Sequence, residues 1–209
     1  MEIKKPILNE DGVEKVVLGE SGDIDVCDAL VRGGARDATI VDEVKINSSV
    51  IDSVSFQSSK IKEMSVIDSL LNGMSFAGAV CNRTFFERII IRKSRFQGTQ
   101  LMECIVRDVV IEKSKCTDLS LRFAKLKNVL FVDCDLDGVD FLAANLENVT
   151  FTNCSLKNAQ FSQSKLKHVS LKAAHIEGIS IDKESFGSIT VNTGQAIYLA
   201  SKLGLVIED

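Results

Sequence analysis

The sequence is poor in several residue types that enzymes and membrane proteins use. Its 209 residues include no tryptophan, one tyrosine, one proline and two histidines. It has no apolar run of about 18 residues, the length that a membrane-spanning helix needs. The N-terminal Met-Glu-Ile-Lys-Lys-Pro stretch is not followed by the apolar core of an export signal. We therefore expect a cytoplasmic protein.

The scarce residues also argue against an enzyme. His168 and His175 have no partner at a motif spacing that would orient them for catalysis, so we expect both at the surface. Gly33-Gly34 stands alone and does not indicate a phosphate-binding loop. The six cysteines include no Cys-x-x-Cys pair, which disfavours a zinc site or a disulfide framework. We expect no catalytic residue, no cofactor and no metal.

The residues that are plentiful indicate a folded chain with a biased core. Apolar residues make up 45% of the sequence and charged residues 26%, a balance that excludes a disordered chain. Eleven phenylalanines stand against one tyrosine and no tryptophan. Such a bias needs a structural cause, and an internal repeat supplies it.

A five-residue repeat runs through most of the chain. From Ile46 to Val191 every fifth residue is apolar, thirty times in succession. Two positions before each of these lies a second, mostly smaller residue, and the other three positions are mostly polar. A helix needs apolar spacings of three and four, and a strand needs alternation, so neither explains a period of five. The chain must instead turn after every few residues, with two positions of each five facing inward.

This pattern resembles that of the pentapeptide-repeat family. Clear examples are residues 144–148 (Ala-Asn-Leu-Glu-Asn) and residues 159–163 (Ala-Gln-Phe-Ser-Gln). The resemblance covers residues 44–193. It implies an all-β fold, a right-handed quadrilateral parallel β-helix with four pentapeptides, or twenty residues, in each coil.

Turn residues support a twenty-residue coil independently of the resemblance. Gly, Asn or Asp recur at that spacing, at Gly78, Gly98, Asp118, Gly138, Asn158 and Gly178. Because these types tolerate left-handed backbone angles, we predict one left-handed corner per coil. Thirty repeats then make about 7.5 coils, which form a rod of about 36 Å at a strand spacing of about 4.8 Å.

We predict three segments: an N-terminal cap at residues 1–23, the β-helix at 24–193, and a C-terminal helix and strand at 194–209. The β-helix should be most regular over residues 44–193. Upstream of these the repeat continues weakly through Val41, Val31 and Val26 but is broken at Arg36. Caps are needed because the end of a β-helix exposes unpaired backbone groups.

The C-terminal segment carries helix-boundary signals. Asn192 suits an N-cap, and Gly204 suits the end of the helix. Pentapeptide-repeat proteins that act on DNA gyrase end in a similar helix and strand, used for two-fold dimerisation, so the resemblance implies a homodimer; a monomeric cap is the alternative. The candidate dimerisation residues are Ile197, Tyr198, Ala200, Leu203, Leu205 and Ile207.

One outward column of the repeat is apolar. Leu70, Ile90, Val110 and Leu130 lie at twenty-residue spacing, at a position that should face solvent. They predict an exposed apolar surface, hereafter the aliphatic stripe, which is a candidate partner-binding site. The alternative is that this face bends over or that the N-terminal segment covers it.

Five cysteines fall on inward columns of the repeat, and we expect them in the core: Cys81, Cys104, Cys116, Cys134 and Cys154. The repeat makes no prediction for Cys27. Small apolar thiols at inward positions need no catalytic or metal-binding explanation.

The distribution of charge separates two functions. Family members that modulate type II topoisomerases resemble DNA in shape and charge, which requires an acidic rod. The net charge here is −6 over residues 1–43, +3 over 44–193 and −1 over 194–209. The slightly basic rod favours a non-enzymatic bacterial scaffold that binds another protein. The alternative is a DNA mimic that modulates DNA gyrase or topoisomerase IV and protects against quinolones. We expect no direct nucleic-acid binding and no membrane partner.

Overall fold

The structure, a computed structural model, describes residues 3–8, 14–16 and 22–207. The described chain is a parallel β-solenoid of about eight turns with one short C-terminal helix. The predicted all-β fold and its C-terminal helix are confirmed. Each twenty-residue coil contributes short strands joined by corners, because inward and outward positions repeat every five residues.

The described strands belong to one sheet that winds around the solenoid. They are β1 (Glu14–Val16), β2 (Ile24–Cys27), β3 (Ala29–Arg32), β4 (Ile40–Asn47), β5 (Val50–Asp52), β6 (Lys60–Ile67), β7 (Leu70–Asn72), β8 (Val80–Cys81), β9 (Thr84–Arg92), β10 (Ile105–Glu112), β11 (Lys125–Val132), β12 (Asn145–Ser155), β13 (Lys165–Lys167), β14 (Val169–His175) and β15 (Ile189–Thr190). A 3-10 helix (Lys183–Ser188) precedes β15, and helix α1 (Thr193–Lys202) follows it.

Neighbouring coils pair in parallel at a register of twenty residues. Val109 of β10 aligns with Val129 of β11, and the same offset joins Ile24 of β2 to Val44 of β4. The predicted coil length is therefore confirmed. Strand β1 departs from this register, since Glu14 aligns with Ala29, an offset of fifteen. The twenty-residue register therefore does not extend to the N-terminal strand.

The core consists of two inward columns on each side of the solenoid, and central rings stack from coil to coil. The ring centroids of Phe131 and Phe151 are 5.0 Å apart, and those of Phe141 and Phe161 are 4.8 Å apart. Phe141 also meets Phe151 edge-on at 6.1 Å. These four rings are buried, and each ring pair adds about 0.5–1.5 kcal/mol beyond simple burial.

Buried serines in the small inward column are satisfied by backbone groups. The hydroxyl of Ser69 accepts a hydrogen bond from the Ser49 N–H at 3.1 Å and donates one to the Ile67 carbonyl at 2.7 Å. Ser114 repeats both contacts on the next side of the solenoid, with Ser94 N–H and the Glu112 carbonyl. A small polar residue is therefore tolerated inside without an unpaired group.

The prediction of one left-handed corner per coil is wrong, because all four corners adopt positive φ between residues 83 and 168. Besides the predicted Gly98, the corners include Lys93 (φ 48°), Glu103 (φ 59°) and Phe123 (φ 60°). Such angles cost ordinary residues about 1–2 kcal/mol each. The corner amides are in return hydrogen-bonded between coils, as Lys93 N–H is to Glu112 O at 3.0 Å. Closure of the square imposes the angle, so only some corners reveal it by residue type.

Arg36 breaks the apolar pattern but not the coil. It lies on an inward column and is 3% exposed, and its N–H bonds to Ser55 O at 2.7 Å, as the residues at this position do in the coils up to Leu156. Its Nη2 donates to the carbonyl of Gly22 at 2.6 Å. The cation is accommodated because this column ends at the N-terminal coil, where the guanidinium reaches a backbone carbonyl instead of another coil.

The five cysteines predicted in the core are buried and unpaired, whereas Cys27 is exposed. Cys116 follows Phe96 on one column and lines an apolar cavity of about 30 Å³ where that phenylalanine stack ends. A thiol there fills less volume than a ring would, which accounts for the gap.

We predict that Phe151→Ala lowers the free energy of unfolding by about 3–5 kcal/mol, because it opens a cavity among one stacked ring and two edge-on rings. Phe123→Ala is the matched control, since the Phe123 ring is 50% exposed and its loss should cost less than about 1 kcal/mol. Urea titrations followed by circular dichroism measure both. Equal losses for the two variants would contradict a core held together by stacked rings.

Candidate functional site

The aliphatic stripe lies on the outer surface of one side of the solenoid. Backbone pairing aligns Leu70 with Ile90, Ile90 with Val110, and Val110 with Leu130. The four side chains are half-buried rather than fully exposed as predicted. At a coil spacing of about 4.8 Å each aliphatic side chain covers part of the next one.

The apolar column is longer than the predicted stripe. Leu30 aligns with Val50, and Val50 aligns with Leu70, while Thr150 follows Leu130 and ends the column. Six aliphatic residues therefore span five coil steps, or about 24 Å. No other outward column of the sequence has more than two apolar residues in succession.

Residues 3–8, hereafter the strap, lie beside the stripe. The Ile7 N–H donates a hydrogen bond to Asp68 Oδ1 at 3.2 Å. The same carboxylate accepts two hydrogen bonds from Arg88, both at 2.7 Å. Residues 9–13 and 17–21 of the predicted N-terminal cap lie outside the described residues. The strap runs along the side of the solenoid, so this part of the N-terminal segment does not cover its end.

An open groove remains between the strap and the stripe. It has a volume of about 440 Å³ and a floor formed by the stripe from Ile90 to Leu130. Lys4 and Lys5 of the strap line one part of it, and Arg92 and Glu112 line another. A second groove of about 310 Å³ continues over the stripe towards its Leu70 end and shares Arg92. The strap therefore borders the stripe without closing it off.

A polar column runs two residues before the stripe in each coil. Asn128 Nδ2 donates to Asp108 Oδ1 at 3.0 Å, and Asn148 Nδ2 donates to Asn128 Oδ1 at 3.0 Å. His168 continues this column, with Nδ1 3.2 Å from Asn148 Oδ1. His168 and His175 are both exposed, as predicted. The column bonds coil to coil and separates the stripe from the next side of the solenoid.

Charged side chains frequently pair between neighbouring coils. Lys62 Nζ lies 2.5 Å from Asp42 Oδ1, and Arg92 Nε lies 2.8 Å from Glu112 Oε2. Both pairs join residues twenty apart, since the register places such residues side by side. Opposite charges directly across a strand pair stabilise it, and like charges destabilise it.

One corner beside the stripe departs from this arrangement. It carries four exposed cations, hereafter the basic corner: Lys93, Arg95, Lys113 and Lys115. Arg95 aligns with Lys115, and Lys93 lies one coil from Lys113. None of the four forms an ion pair with a described residue. Sequence reasoning missed this cluster, although Lys or Arg recurring at twenty-residue spacing was a usable signal.

The thiols lie in two kinds of environment. Burial raises the pKa of Cys81 and of Cys104 to about 12, so neither is a thiolate near neutral pH. The exposed Cys27 donates a hydrogen bond from Sγ to Asp28 Oδ2 at 3.4 Å, and this carboxylate raises the pKa of the thiol. Within residues 3–8 and 22–207, no group of three His, Cys, Asp or Glu residues is placed to hold a metal ion.

Helix α1 closes the C-terminal end of the solenoid by bonding its free backbone groups. Asn192 caps the helix and forms a capping box with Gln195. The buried Gln195 donates from Nε2 to the carbonyls of Leu171 and Ala174 at 2.8 and 2.7 Å. Tyr198 Oη accepts a hydrogen bond from the Gly178 N–H at 2.7 Å. Side chains of the helix thus replace the next coil as hydrogen-bonding partners.

The candidate dimerisation residues divide into two groups. Tyr198 and Ala200 are half-buried against the last coil. The Tyr198 hydroxyl already accepts the hydrogen bond from the Gly178 N–H. The exposed members are Ile197, Leu203, Leu205 and Ile207. Val206 lies among them with its side chain 87% exposed. Residues 205–207 have no regular secondary structure in the single chain, and residues 208 and 209 lie outside the described part.

None of the helices in the described part of the chain is both long and apolar enough to cross a membrane.

A family model described as pentapeptide repeat region matches residues 104–181. No curated protein matches the chain. The fold is similar to that of trypsin-treated QnrB1, a plasmid-mediated fluoroquinolone resistance protein, with a TM-score of 0.54 and 12% identity over 90% of this chain and 100% of that one. A likeness at this level of identity shows the fold alone.

Two further solved structures are similar over shorter spans. HetL from the cyanobacterium Nostoc, a pentapeptide-repeat protein involved in heterocyst differentiation regulation, is 13% identical over 76% of this chain and 85% of that one, with a TM-score of 0.30. A pentapeptide-repeat protein from the thylakoid lumen of Arabidopsis thaliana is 21% identical over 63% of this chain and 74% of that one, with a TM-score of 0.29.

The contacts of Asp68 predict how stability depends on pH. Hydrogen bonds from Arg88, and then from the Ile7 N–H, hold the pKa of Asp68 below its ordinary value. A carboxyl with a lowered pKa contributes stability above its unfolded-state pKa of about 3.9 and loses it as pH falls through the folded-state value. Asp68→Asn should therefore cost about 1–3 kcal/mol from pH 7 to pH 5, and this difference should shrink below about pH 4.

Urea titrations of both proteins between about pH 3 and pH 7 measure this difference. Arg88→Met is the matched control, because it removes the other partner and should give a similar profile. Glu87, which lies 2.9 Å from Arg88, remains in both variants. If the loss of stability in Asp68→Asn stays constant down to pH 3, the ionised form of Asp68 is not what stabilises the fold.

Proposed function

Since this chain is a pentapeptide-repeat protein, we propose that it acts as a non-enzymatic scaffold that binds another protein along the aliphatic stripe. The observation that carries the proposal is the unbroken aliphatic column on the outside of the solenoid. An outward column of a solenoid meets water, so Leu, Ile and Val at six successive coils reduce solubility without filling the core. A bound partner removes that cost.

The dimensions of the stripe suit a segment of protein rather than a small molecule. Its length of about 24 Å corresponds to about seven residues of extended chain. The two grooves beside it, of about 440 and 310 Å³, are open along the rod and share Arg92. Burying the exposed half of one aliphatic side chain contributes about 1 kcal/mol, so several coils must be engaged together for useful affinity.

The non-enzymatic part of the proposal rests on the environments of the reactive residues. The thiols of Cys81 and Cys104 are buried with a pKa of about 12. His168 bonds to the amide of Asn148 within a polar column. We place the scaffold in the bacterial cytoplasm, where free thiols such as its six cysteines persist.

A role as a DNA mimic at a type II topoisomerase is the alternative suggested by QnrB1. The likeness to QnrB1 shows the fold alone, and the charge of the rod disfavours that function. DNA mimicry needs a negative field along the rod, whereas residues 44–193 carry a net charge of +3 and include the basic corner. The protein-binding scaffold therefore remains the better proposal.

The stripe can be tested by a paired substitution. Ile90→Lys with Val110→Lys places two cations in the middle of the stripe, and we expect it to weaken partner binding at least about tenfold, since a buried unpaired charge is costly. Gln100→Lys with Ser120→Lys is the matched control, because these residues also align between neighbouring coils but on another side. We expect the control to change the affinity less than about twofold.

The measurement begins with photo-crosslinking from position 110 in a lysate, followed by purification of the crosslinked protein and titration of both variants. Circular dichroism establishes that each variant is folded. Equal affinity of the stripe variant and the wild type for that purified partner would sink the proposal, as would equal losses in both variants.

We also propose that the C-terminal tail forms a homodimer. The exposed side chains of Ile197, Leu203, Leu205 and Ile207 are continuous with an apolar groove of about 190 Å³ between α1 and the last coil. A single chain leaves this surface in water, and a second copy related by a two-fold axis would cover it with the same residues. The polar cap contacts of Gln195 lie on the solenoid side of the helix and are separate from it.

Leu205→Asp with Ile207→Asp should convert the dimer to a monomer without unfolding it, because charges at an apolar interface lose their hydration. Sedimentation velocity at about 1–100 μM measures the change. Ile40→Asp is the control, since Ile40 is 69% exposed near the other end of the rod and should leave the dimer intact. A wild-type protein that sediments as a monomer throughout this range would refute the dimer.

A further inference from the structure

The basic corner is energetically unfavourable for the isolated chain. Arg95 and Lys115 align on neighbouring coils, and Lys93 and Lys113 occupy the same corner one coil apart, both with positive φ. Like charges directly opposite each other destabilise a strand pair. At other positions the same register brings opposite charges together, as at Arg83 and Glu63, 2.7 Å apart, although it also aligns Arg107 with Lys127.

The acids nearest to the basic corner are already engaged. Glu112 pairs with Arg92 at 2.8 Å. Asp133, one coil beyond Lys113, accepts a hydrogen bond from Asn153 Nδ2 at 2.6 Å. Asp135, one coil beyond Lys115, accepts one from the Asp137 N–H at 3.3 Å. The four cations of the corner therefore present their charge outward, without an ion pair to any described residue.

The basic corner borders the aliphatic stripe along two coils. Lys93 and Lys113 follow the stripe residues Ile90 and Val110 by three positions, at the edge of the same side of the solenoid. Lys93 and Arg92 line the second groove. On the opposite edge, Lys4 and Lys5 of the strap are exposed and line the first groove. The apolar floor thus has cations on both edges, and the acidic lining residues are Glu112 in the first groove and Asp52 in the second.

From this arrangement we infer that the partner segment on the stripe is acidic, with apolar side chains on the stripe and carboxylates facing the basic corner and the strap lysines. This inference rests on the proposed function and specifies the chemistry of its partner. Complementary charge raises the association rate and selects among segments of equal hydrophobicity. A second copy of this chain does not suit the site, because its own basic corner would add to the positive field.

Nucleic acid is less suitable than an acidic protein segment. Single strands are held by aromatic stacking as well as by cations, and the floor of this groove is aliphatic. Phosphates would leave the apolar side chains in water. A protein segment with alternating Leu and Glu character uses both the floor and its edges, and nucleic acid becomes an outcome of the test.

Two labelled peptides of about twelve residues test the inference by fluorescence anisotropy. Both have leucine at every second position, so that the leucines share one face of an extended chain; one has glutamate between the leucines, and the other has lysine. The acidic peptide should bind at least about tenfold more tightly than the basic one, and raising the salt from about 50 to 500 mM should weaken it. A labelled single-stranded DNA of similar length is the third probe.

Variants of the full-length protein locate the binding. Lys93→Glu with Lys113→Glu should weaken the acidic peptide at least about tenfold and favour the basic one. Lys125→Glu with Lys165→Glu is the matched control, since both lysines are exposed on another side of the rod and the change in net charge is the same. Ile90→Ser with Val110→Ser should weaken the acidic peptide without changing the charge.

The outcomes separate this inference from the proposed function. Three results would overturn the inference that the partner segment is acidic. They are equal binding of the two peptides, no peptide binding up to about 1 mM, and an equal effect of the control pair. Corner-dependent binding of DNA alone also overturns it. If reversal of the corner has no effect while the serine variant weakens both peptides, the stripe remains a binding site and only its charge preference is wrong. If the serine variant also binds like the wild type, the proposed function loses its support as well.

Discussion

The backbone hydrogen bonds between neighbouring coils are the constraint on which the rest of the structure depends. They align each residue with the one twenty positions later, as Val109 with Val129. Each side chain within the stack therefore lies about 4.8 Å from the side chains at the same position of the neighbouring coils. Aromatic rings stack on rings, and amides bond to amides, as Asn148 does to Asn128. A charged side chain lies beside the residue at the same position of the next coil, whether that residue has the opposite charge, the same charge or none. Closure of the square holds all four corners at left-handed angles between residues 83 and 168, even at residues such as Phe123 for which these angles are unfavourable.

A ladder of this kind has to end, and the two ends use different chemistry. At the C-terminus, Gln195 and Tyr198 of α1 bond to groups of the last coil that a further coil would otherwise satisfy. Near the N-terminus, Arg36 occupies an inward column, and its guanidinium reaches the carbonyl of Gly22. Both devices place a polar side chain where the apolar column stops. Helix α1 occupies the C-terminal end of the solenoid, whereas the long sides of the rod are open to other molecules.

On those sides, the residues that stabilise a column of the solenoid differ from the residues that would bind a partner. Stability favours alternating charges and polar ladders, which the chain has at Arg92 with Glu112 and at Asn128 with Asp108. The aliphatic stripe and the basic corner meet neither demand, and they are adjacent. The aliphatic stripe and the basic corner lie side by side along two coils, next to the strap lysines. We therefore assign the binding surface to this side of the solenoid and infer that its partner is acidic.

The sequence by itself determined the repeat, the inward columns, the twenty-residue coil, the C-terminal helix and the position of the stripe, because a five-residue period places each residue without reference to distant parts of the chain. It did not reveal that all four corners are left-handed between residues 83 and 168, since closure of the square imposes those angles on residues as different as Lys93 and Glu103. Nor did it place Arg36 inside, because a cation is tolerated there only at the end of a column. Tertiary structure alone decided two features of this surface. One is the position of the strap beside the stripe, where Ile7 bonds to Asp68, sixty-one residues away. The other is the absence of ion pairs between the basic corner and any described residue. They depend on contacts between segments that the repeat does not relate and on which side chains meet across coils.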